Sequence, residues 1–236
     1  MSTVPERLAQ LDWPTIHSQL HAHGHARTGV LLTQAECAQL SASYDDTQRF
    51  RSRVVMSRHG FGRGEYQYFS YPLTDLVGQL REGLYSHLAP VANAWQAAMK
   101  LARRFPDTLA DMLARCHQAG QTRPTPLLLK YGEGDYNCLH QDLYGEHVFP
   151  LQVAVLLSQP GADFDGGQFV LVEQRPRMQS RPHVVPLVQG EGVIFAVHHR
   201  PVQGTRGTYR VNLRHGVSAL TRGQRFTAGI IFHDAA

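Results

Sequence analysis

Apolar residues recur at helical spacing in the first half of the chain and gather into short blocks in the second. Leu8, Leu11, Ile16 and Leu20 mark one face of a helix across Pro5 to His23. Thr33 to Tyr44 opens on a threonine with Glu36 three residues later, the pattern of a capping box, and predicts a second helix. A longer helical region runs from Leu73 to Gln118, with breaks expected at Pro90 and Pro106 because proline removes a backbone donor. Between these, Phe50 to Tyr71 is rich in arginine, glycine and aromatic residues and fits a loop or a short hairpin.

From Pro126 onward the texture changes. Leu127 to Tyr131, Val148 to Leu157, Gln168 to Val172, Val184 to Leu187, Gly192 to Val197, Arg210 to Leu220 and Phe226 to Phe232 are short strand-like runs parted by turn residues. Many short strands at this spacing predict a sandwich or jelly roll, and helices followed by strands predict an α+β fold. The expected layout is one domain, with residues 1–121 as mainly helical support and a substrate loop, and residues 122–236 as a jelly-roll core.

Composition narrows the partners. No run approaches the roughly 18 apolar residues of a membrane span, and Met1 to Gln10 lacks the pattern of a secretory signal, so a cytoplasmic location is expected. Cys37, Cys116 and Cys138 are too few and too scattered for a disulfide framework. The formal charge is +4, and Lys100 and Lys130 are the only lysines, so the positive charge is arginine, suited to planar carboxylate or phosphate groups. An anionic partner, including a nucleic acid, is allowed. Fourteen histidines are the one excess.

The run Leu127 to Asp142 places His140 and Asp142 two residues apart at the end of an apolar stretch. In extended chain such residues share a face and can grip one ion. A histidine from a distant strand would complete a two-histidine, one-carboxylate triad, which leaves positions on Fe(II) for a co-substrate and dioxygen. Downstream, Asp163 to Leu171 reads as a double-glycine turn feeding a strand, and Gly190 to Ala196 as a turn feeding another. His215 is followed ten residues later by Arg225 across a turn at Arg222-Gly223. An imidazole there can bind the metal while the guanidinium takes the far carboxylate of a chelating 2-oxoacid.

With these stretches on the page, residues 127–233 resemble the double-stranded β-helix core of the Fe(II)/2-oxoglutarate dioxygenases. The Tyr131 to Asp142 stretch is similar to AlkB-type nucleic-acid demethylases. The Gly166-Gly167 turn and the ending through His215 and Arg225 look more like prolyl-hydroxylase relatives. Over its whole length, including Tyr44-Asp-Asp, Gly64 to Phe69 and the closing Ile230 to Asp234, the chain resembles a bacterial oxygenase family predicted to demethylate damaged DNA bases. The resemblance implies Fe(II) and 2-oxoglutarate as cofactors, His140, Asp142 and His215 as iron ligands, and Arg225 with Tyr131 as 2-oxoglutarate contacts. Leu129 stands where the AlkB-type motif carries an amide.

His199 with Arg210, beside His198, is a rival to His215 with Arg225, because Val197 to Tyr209 intervenes where this fold's distal histidine normally follows at once. His198 to Gly207 reads as an exposed loop, which favours His215. Arg210 and Arg214 are further candidates for an anionic group. Arg51, Arg53, Arg58, Arg63, Tyr66, Tyr68 and Phe69 interleave charge with aromatic rings, as a single-stranded nucleic-acid groove does, and equally suit a lid over a small substrate. Other readings stay open: a hydroxylase of an amino acid, a peptidyl residue or a metabolite; a cupin-like protein using another metal; and a non-catalytic binding module. Nothing in the sequence fixes an oligomeric state.

Overall fold

The computed structural model describes residues 2–143, 145–205 and 207–236. The expected first helix is two. Helix α1, Val4–Ala9, starts at a Thr3–Glu6 capping box, and α2, Trp13–His23, restarts because Asp12 accepts from the Thr15 amide. Gly24, in the left-handed region at φ 76°, ends α2 and turns the chain into β1, His25–Val30. The Thr33–Glu36 capping box opens α3, Gln34–Ala42.

Within residues 50–71, β2 (Phe50–Val55) and β4 (Glu65–Phe69) form a hairpin built into the main sheet, and the two-residue β3 (Gly62–Arg63) between them pairs into the second sheet. Helix α4, Asp75–Ala98, passes through Pro90 without ending. Pro90 and Ser86, whose carbonyl loses its partner, are both exposed, so water takes the freed acceptor. The opposite face buries Leu84, Tyr85, Leu88, Ala89, Ala92 and Trp95, and each large side chain there contributes about 1.5–3 kcal/mol. The chain does break around Pro106, before α5, Leu109–Gln118.

The second half supplies β5 (Leu127–Tyr131), β6 (Tyr136–His140), β7 (Leu151–Leu156), β8 (Phe164–Gly166), β9 (Phe169–Gln174), β10 (Arg181–Val185), β11 (Glu191–Ala196), β12 (His199–Gly204), β13 (Gly207–Val217), β14 (Leu220–Gly223) and β15 (Arg225–Ile230). They join β1, β2 and β4 in a seven-stranded sheet, β1-β11-β7-β15-β5-β4-β2, facing a second sheet, β10-β9-β13-β6-β3, with β12 on β13. This is the jelly-roll core in an α+β setting. Three strands of its major sheet come from the first half, so the change of texture near residue 122 is not a structural boundary.

One apolar core lies between the helices and the outer face of the major sheet, around Leu84, Trp95, Val153 and Phe232. A second lies inside the sandwich, around Phe169, Leu171, Phe195 and Tyr131. The loop expected over His198 to Gly207 is strand β12, hydrogen-bonded to β13 alone. Pro201 is tolerated there because an edge strand has a free side. Among the described residues no helix is long and apolar enough to cross a membrane.

Candidate active site

Strands β6 and β13 pair antiparallel with His140 opposite His215. The register then slips, so that Val217 faces Asn137, and the extra residue bulges β6. Gly216 permits the bulge, since a Cβ there would lie 2.6 Å from the Asn137 carbonyl oxygen. Such a bulge re-aims a side chain, and both His140 and Asn137 line the space between the sheets. Asp142 follows just beyond the strand. It is held there by Gln141, whose amide donates to the Leu213 carbonyl at 2.7 Å and to Asn212 Oδ1 at 3.1 Å.

Asp142 stands between the two imidazoles, with Oδ1 3.4 Å from His140 Nε2 and Oδ2 3.4 Å from His215 Nε2. One ligand atom from each of the three residues lies within 4.8 Å of the others, the only such group among the described residues. The His140 Nδ1–H donates to the Cys138 carbonyl at 2.7 Å, which leaves the Nε2 lone pair facing the cluster. His215 packs between the Phe195 ring, 4.6 Å away, and the Phe169 ring, 6.1 Å away. Burial lowers the proton affinity of His215. Burial would raise the Asp142 carboxyl, but hydrogen bonds to both imidazoles outweigh it and hold the group well below the carboxylate range. Burial likewise opposes charge on His140, and the Asp142 carboxylate overcomes it, so His140 is raised.

Arg225 begins β15 in the facing sheet, in register with Tyr131 of β5. It is 2% exposed. Its Nη1 donates to Thr227 Oγ1 at 2.7 Å, its Nε has no partner, and the guanidinium lies 5.7 Å from the Tyr131 ring and 5.8 Å from the Phe164 ring. Burial lowers its pKa to about 10, so it stays charged at neutral pH. The double-glycine turn makes room for it. At φ 56°, Gly167 presses so closely that a Cβ would meet Leu220 at 2.6 Å and the Arg225 Cδ at 3.0 Å. The Tyr131 hydroxyl is buried and makes no hydrogen bond, with Asn137 nearby, and burial raises its pKa.

The three-residue cluster and Arg225 face one cavity of about 330 Å³ between the sheets. These residues fit Fe(II) and 2-oxoglutarate: two imidazoles and a carboxylate leave coordination positions open, and a buried guanidinium with no anion awaits a carboxylate. The rival pair is elsewhere. His199 pairs with Asn212 on β13, its ring 3.5 Å from that of His198, and neither it nor Arg210 lines the cavity. Burial, then His198 and Arg210, lower His199 to about 4. The insertion from Val197 to Tyr209 that opened this choice is the β12–β13 hairpin. Arg210 and Arg214 are exposed and outside the cavity.

Within the 50–71 hairpin, Tyr66 and Tyr68 line the cavity and Phe61 stands at its exposed rim, whereas Phe69 is buried in the helical-side core. Three of the four arginines there are engaged, and Arg58 is exposed: Arg51 donates to the Pro124 carbonyl and lies over Tyr68, Arg53 pairs with Glu65, and Arg63 approaches Asp135 at 3.6 Å. Four polar residues of the cavity wall escaped the sequence reading, Asn137, Gln141, Gln152 and Thr227. Gln152 is the one polar residue of Leu151–Leu156, a strand buried throughout, and a lone amide in such a run is the signal that could have found it.

A family model of oxygenases, described as catalysing oxidative methylation of damaged DNA, matches residues 64–235. Two uncharacterised proteins from two strains of Mycobacterium tuberculosis are each 51% identical over 168 residues, 71% of this chain and 72% of theirs. Among solved structures, a Pseudomonas putida prolyl-4-hydroxylase aligns with a TM-score of 0.54 at 14% identity, covering 95% of this chain and 99% of that one. A Burkholderia pseudomallei oxidoreductase of the 2OG-Fe(II) oxygenase family aligns with a TM-score of 0.57 at 13% identity, covering 95% and 93%. At such identities these structures show a shared fold. With nearly three quarters of its length matched, the chain belongs to the family of oxygenases described as acting on damaged DNA.

Proposed function

We propose that this chain is an Fe(II)- and 2-oxoglutarate-dependent dioxygenase that hydroxylates a C–H bond, with His140, Asp142 and His215 as iron ligands. Arg225 anchors the distal carboxylate of 2-oxoglutarate, and Tyr131 is a second donor to it. The observation that carries the proposal is a buried guanidinium without an anion, facing two imidazoles and a carboxylate across one cavity. When bound, iron, 2-oxoglutarate and dioxygen supply an oxidant strong enough to break a C–H bond, leaving succinate and CO2. The chain's own part is geometric and electrostatic. Cys138 fixes the His140 tautomer, Asp142 stays ionised at the pH of use, and Phe169, Phe195 and Leu129 give the cavity an apolar wall beside the centre.

The family description supports an alkylated nucleobase as substrate. Hydroxylation of an N-methyl carbon gives a hemiaminal that releases formaldehyde, and the net reaction is demethylation. The pairing of Arg51 and Arg53 within the protein favours a second reading, in which an amino acid, a peptidyl residue or a small metabolite is hydroxylated. We place the enzyme in the reducing cytoplasm, where iron stays ferrous; the three cysteines are free.

The experiment is iron-dependent succinate formation, with formaldehyde release from N-methylated oligonucleotides measured beside hydroxylation of free and peptidyl amino acids. Turnover is expected in wild type and absent in His140→Ala. Full turnover in that variant would refute the ligand assignment.

A further inference from the structure

Inward-facing side chains of the major sheet fall into rows fixed by its register. Arg225 stands beside Tyr131; then come Thr227 with Leu129 and Leu156, and Gly229 with Leu127 and Ala154. Gln152 lies one step beyond the Val153–Ile230 pair and is paired with Phe195 on its other side. Arg225 and Ile230 are the two ends of β15 and Gln152 lies one step past the second, so it is roughly 20 Å along the sheet from Arg225. The carboxyl carbons of a five-carbon dicarboxylate are only roughly 5 Å apart. A 2-oxoglutarate anchored on Arg225 therefore ends near the metal ligands and leaves the Gln152 end of the cavity to another molecule. Phe195, the strand neighbour of Gln152, packs on His215, so that end still borders the metal.

Gln152 is 4% exposed, and its Nε2 is enclosed without a hydrogen-bond partner. The wall residues nearest it in the register are Phe195, Ala154, Gly229 and Ile231, with Leu127 and Tyr68 on the next strands of the same sheet. None is charged. Ala154 and Gly229 make a low floor between aromatic rings, a shape that admits a flat group. The last torsion of a glutamine is broad, so a small rotation turns the amide donor into the cavity.

We propose that the Gln152 side chain recognises the primary substrate, its Nε2–H donating to an acceptor on an uncharged, planar group seated beyond the metal ligands from Arg225. The inference rests on the dioxygenase reading and adds to it the residue that selects the substrate. Leaving an amide donor buried and unmet opposes folding, so the free protein carries a cost that the bound substrate removes. A planar base or an amide has the required acceptor.

The full-length chain and its Gln152→Leu variant test this in three measurements. First, the metal-free variant is expected to melt at or above wild type, by up to roughly 4 °C. A fall of several degrees would make the amide a structural partner and overturn the proposal. Second, 2-oxoglutarate titrated into the Mn(II)-loaded proteins is expected to bind both within about twofold. A tenfold loss in the variant would assign Gln152 to the co-substrate instead. Third, a single-stranded oligonucleotide carrying one N-methylated base serves as probe, with KM expected to rise at least tenfold in the variant and kcat to change less. An unchanged KM would overturn the proposal. If wild type releases no formaldehyde from that probe, the nucleic-acid reading fails, and the first two measurements decide the role of Gln152.

Discussion

Two arginines are buried to the same degree and live in opposite surroundings. Arg81, on α4, is 1% exposed and fully answered: it donates to the Ile231 carbonyl at 2.8 Å, the Tyr71 hydroxyl at 2.8 Å, the His233 carbonyl at 3.2 Å and Asp234 Oδ1 at 2.8 Å. Arg225, 2% exposed, donates to one hydroxyl and meets no carboxylate. The first is a joint, tying the chain's last residues to the helices, with His117 and Tyr71 closing the ring around Asp234. The second, on the proposed reading, is a receptor. A buried charge left alone is costly, and its persistence makes sense where a ligand completes it.

The sharpest way to break this contrast is to remove each cation. Arg81→Met leaves Asp234 buried and uncompensated, and unfolding in urea is expected to show a loss of about 3–5 kcal/mol. Arg225→Met removes a charge with no anionic partner and one hydrogen bond to Thr227, so the metal-free protein is expected to be unchanged or more stable, by up to about 4 kcal/mol. A large loss in both would erase the distinction between joint and receptor.

A smaller effect comes from pH. His233 sits beside Arg81 with its Nδ1 accepting from the Phe149 amide, and burial lowers its pKa from 6.5 to about 4. Its folded form resists protonation, so the unfolded chain takes up the proton first. The stability tied to this group is intact above pH 6.5 and is lost as pH falls from 6.5 towards 4, by roughly 3 kcal/mol. In His233→Gln, whose side-chain oxygen can accept from Phe149, that part of the acid slope is expected to vanish. An identical slope in both proteins would remove His233 from the account.

Ligand binding gives a comparable shift. At a hundredfold excess over its dissociation constant, 2-oxoglutarate with Mn(II) is expected to stabilise wild type by about 2.7 kcal/mol. In Arg225→Met, thermal melting should show little of that gain, because the proposed anchor for the distal carboxylate is gone. The smallest effect belongs to the surface. The Arg53 side chain is 59% exposed, and Arg53→Gln should change stability by less than about 1 kcal/mol. If that variant instead loses most of its affinity for a single-stranded oligonucleotide, the hairpin is a nucleic-acid contact despite its pairing with Glu65.

The contrast also explains what could be read in advance. That His140, Asp142 and His215 would come together beside Arg225 was legible, because metal and carboxylate chemistry favours those residue types and a strand and a hairpin turn dictate their spacing. Gly166 and Gly167 were legible as a turn, but their closeness to the Arg225 stem is a matter of packing. Strand β1 was hidden because His25–Val30 is mostly polar or small and holds its place by pairing with β11. Strand β12 was hidden by Pro201, and the unbroken α4 by Pro90, where an exposed position removes proline's usual penalty. Gln152 sat unnoticed because strand pairing, not sequence distance, brings it to the cavity.

The most direct test of the central claim is a crystal structure of the chain with Mn(II) and 2-oxoglutarate. The account predicts one metal held by His140, Asp142 and His215, with the distal carboxylate of 2-oxoglutarate on Arg225. A metal on other residues, or a carboxylate bound away from Arg225, would contradict it.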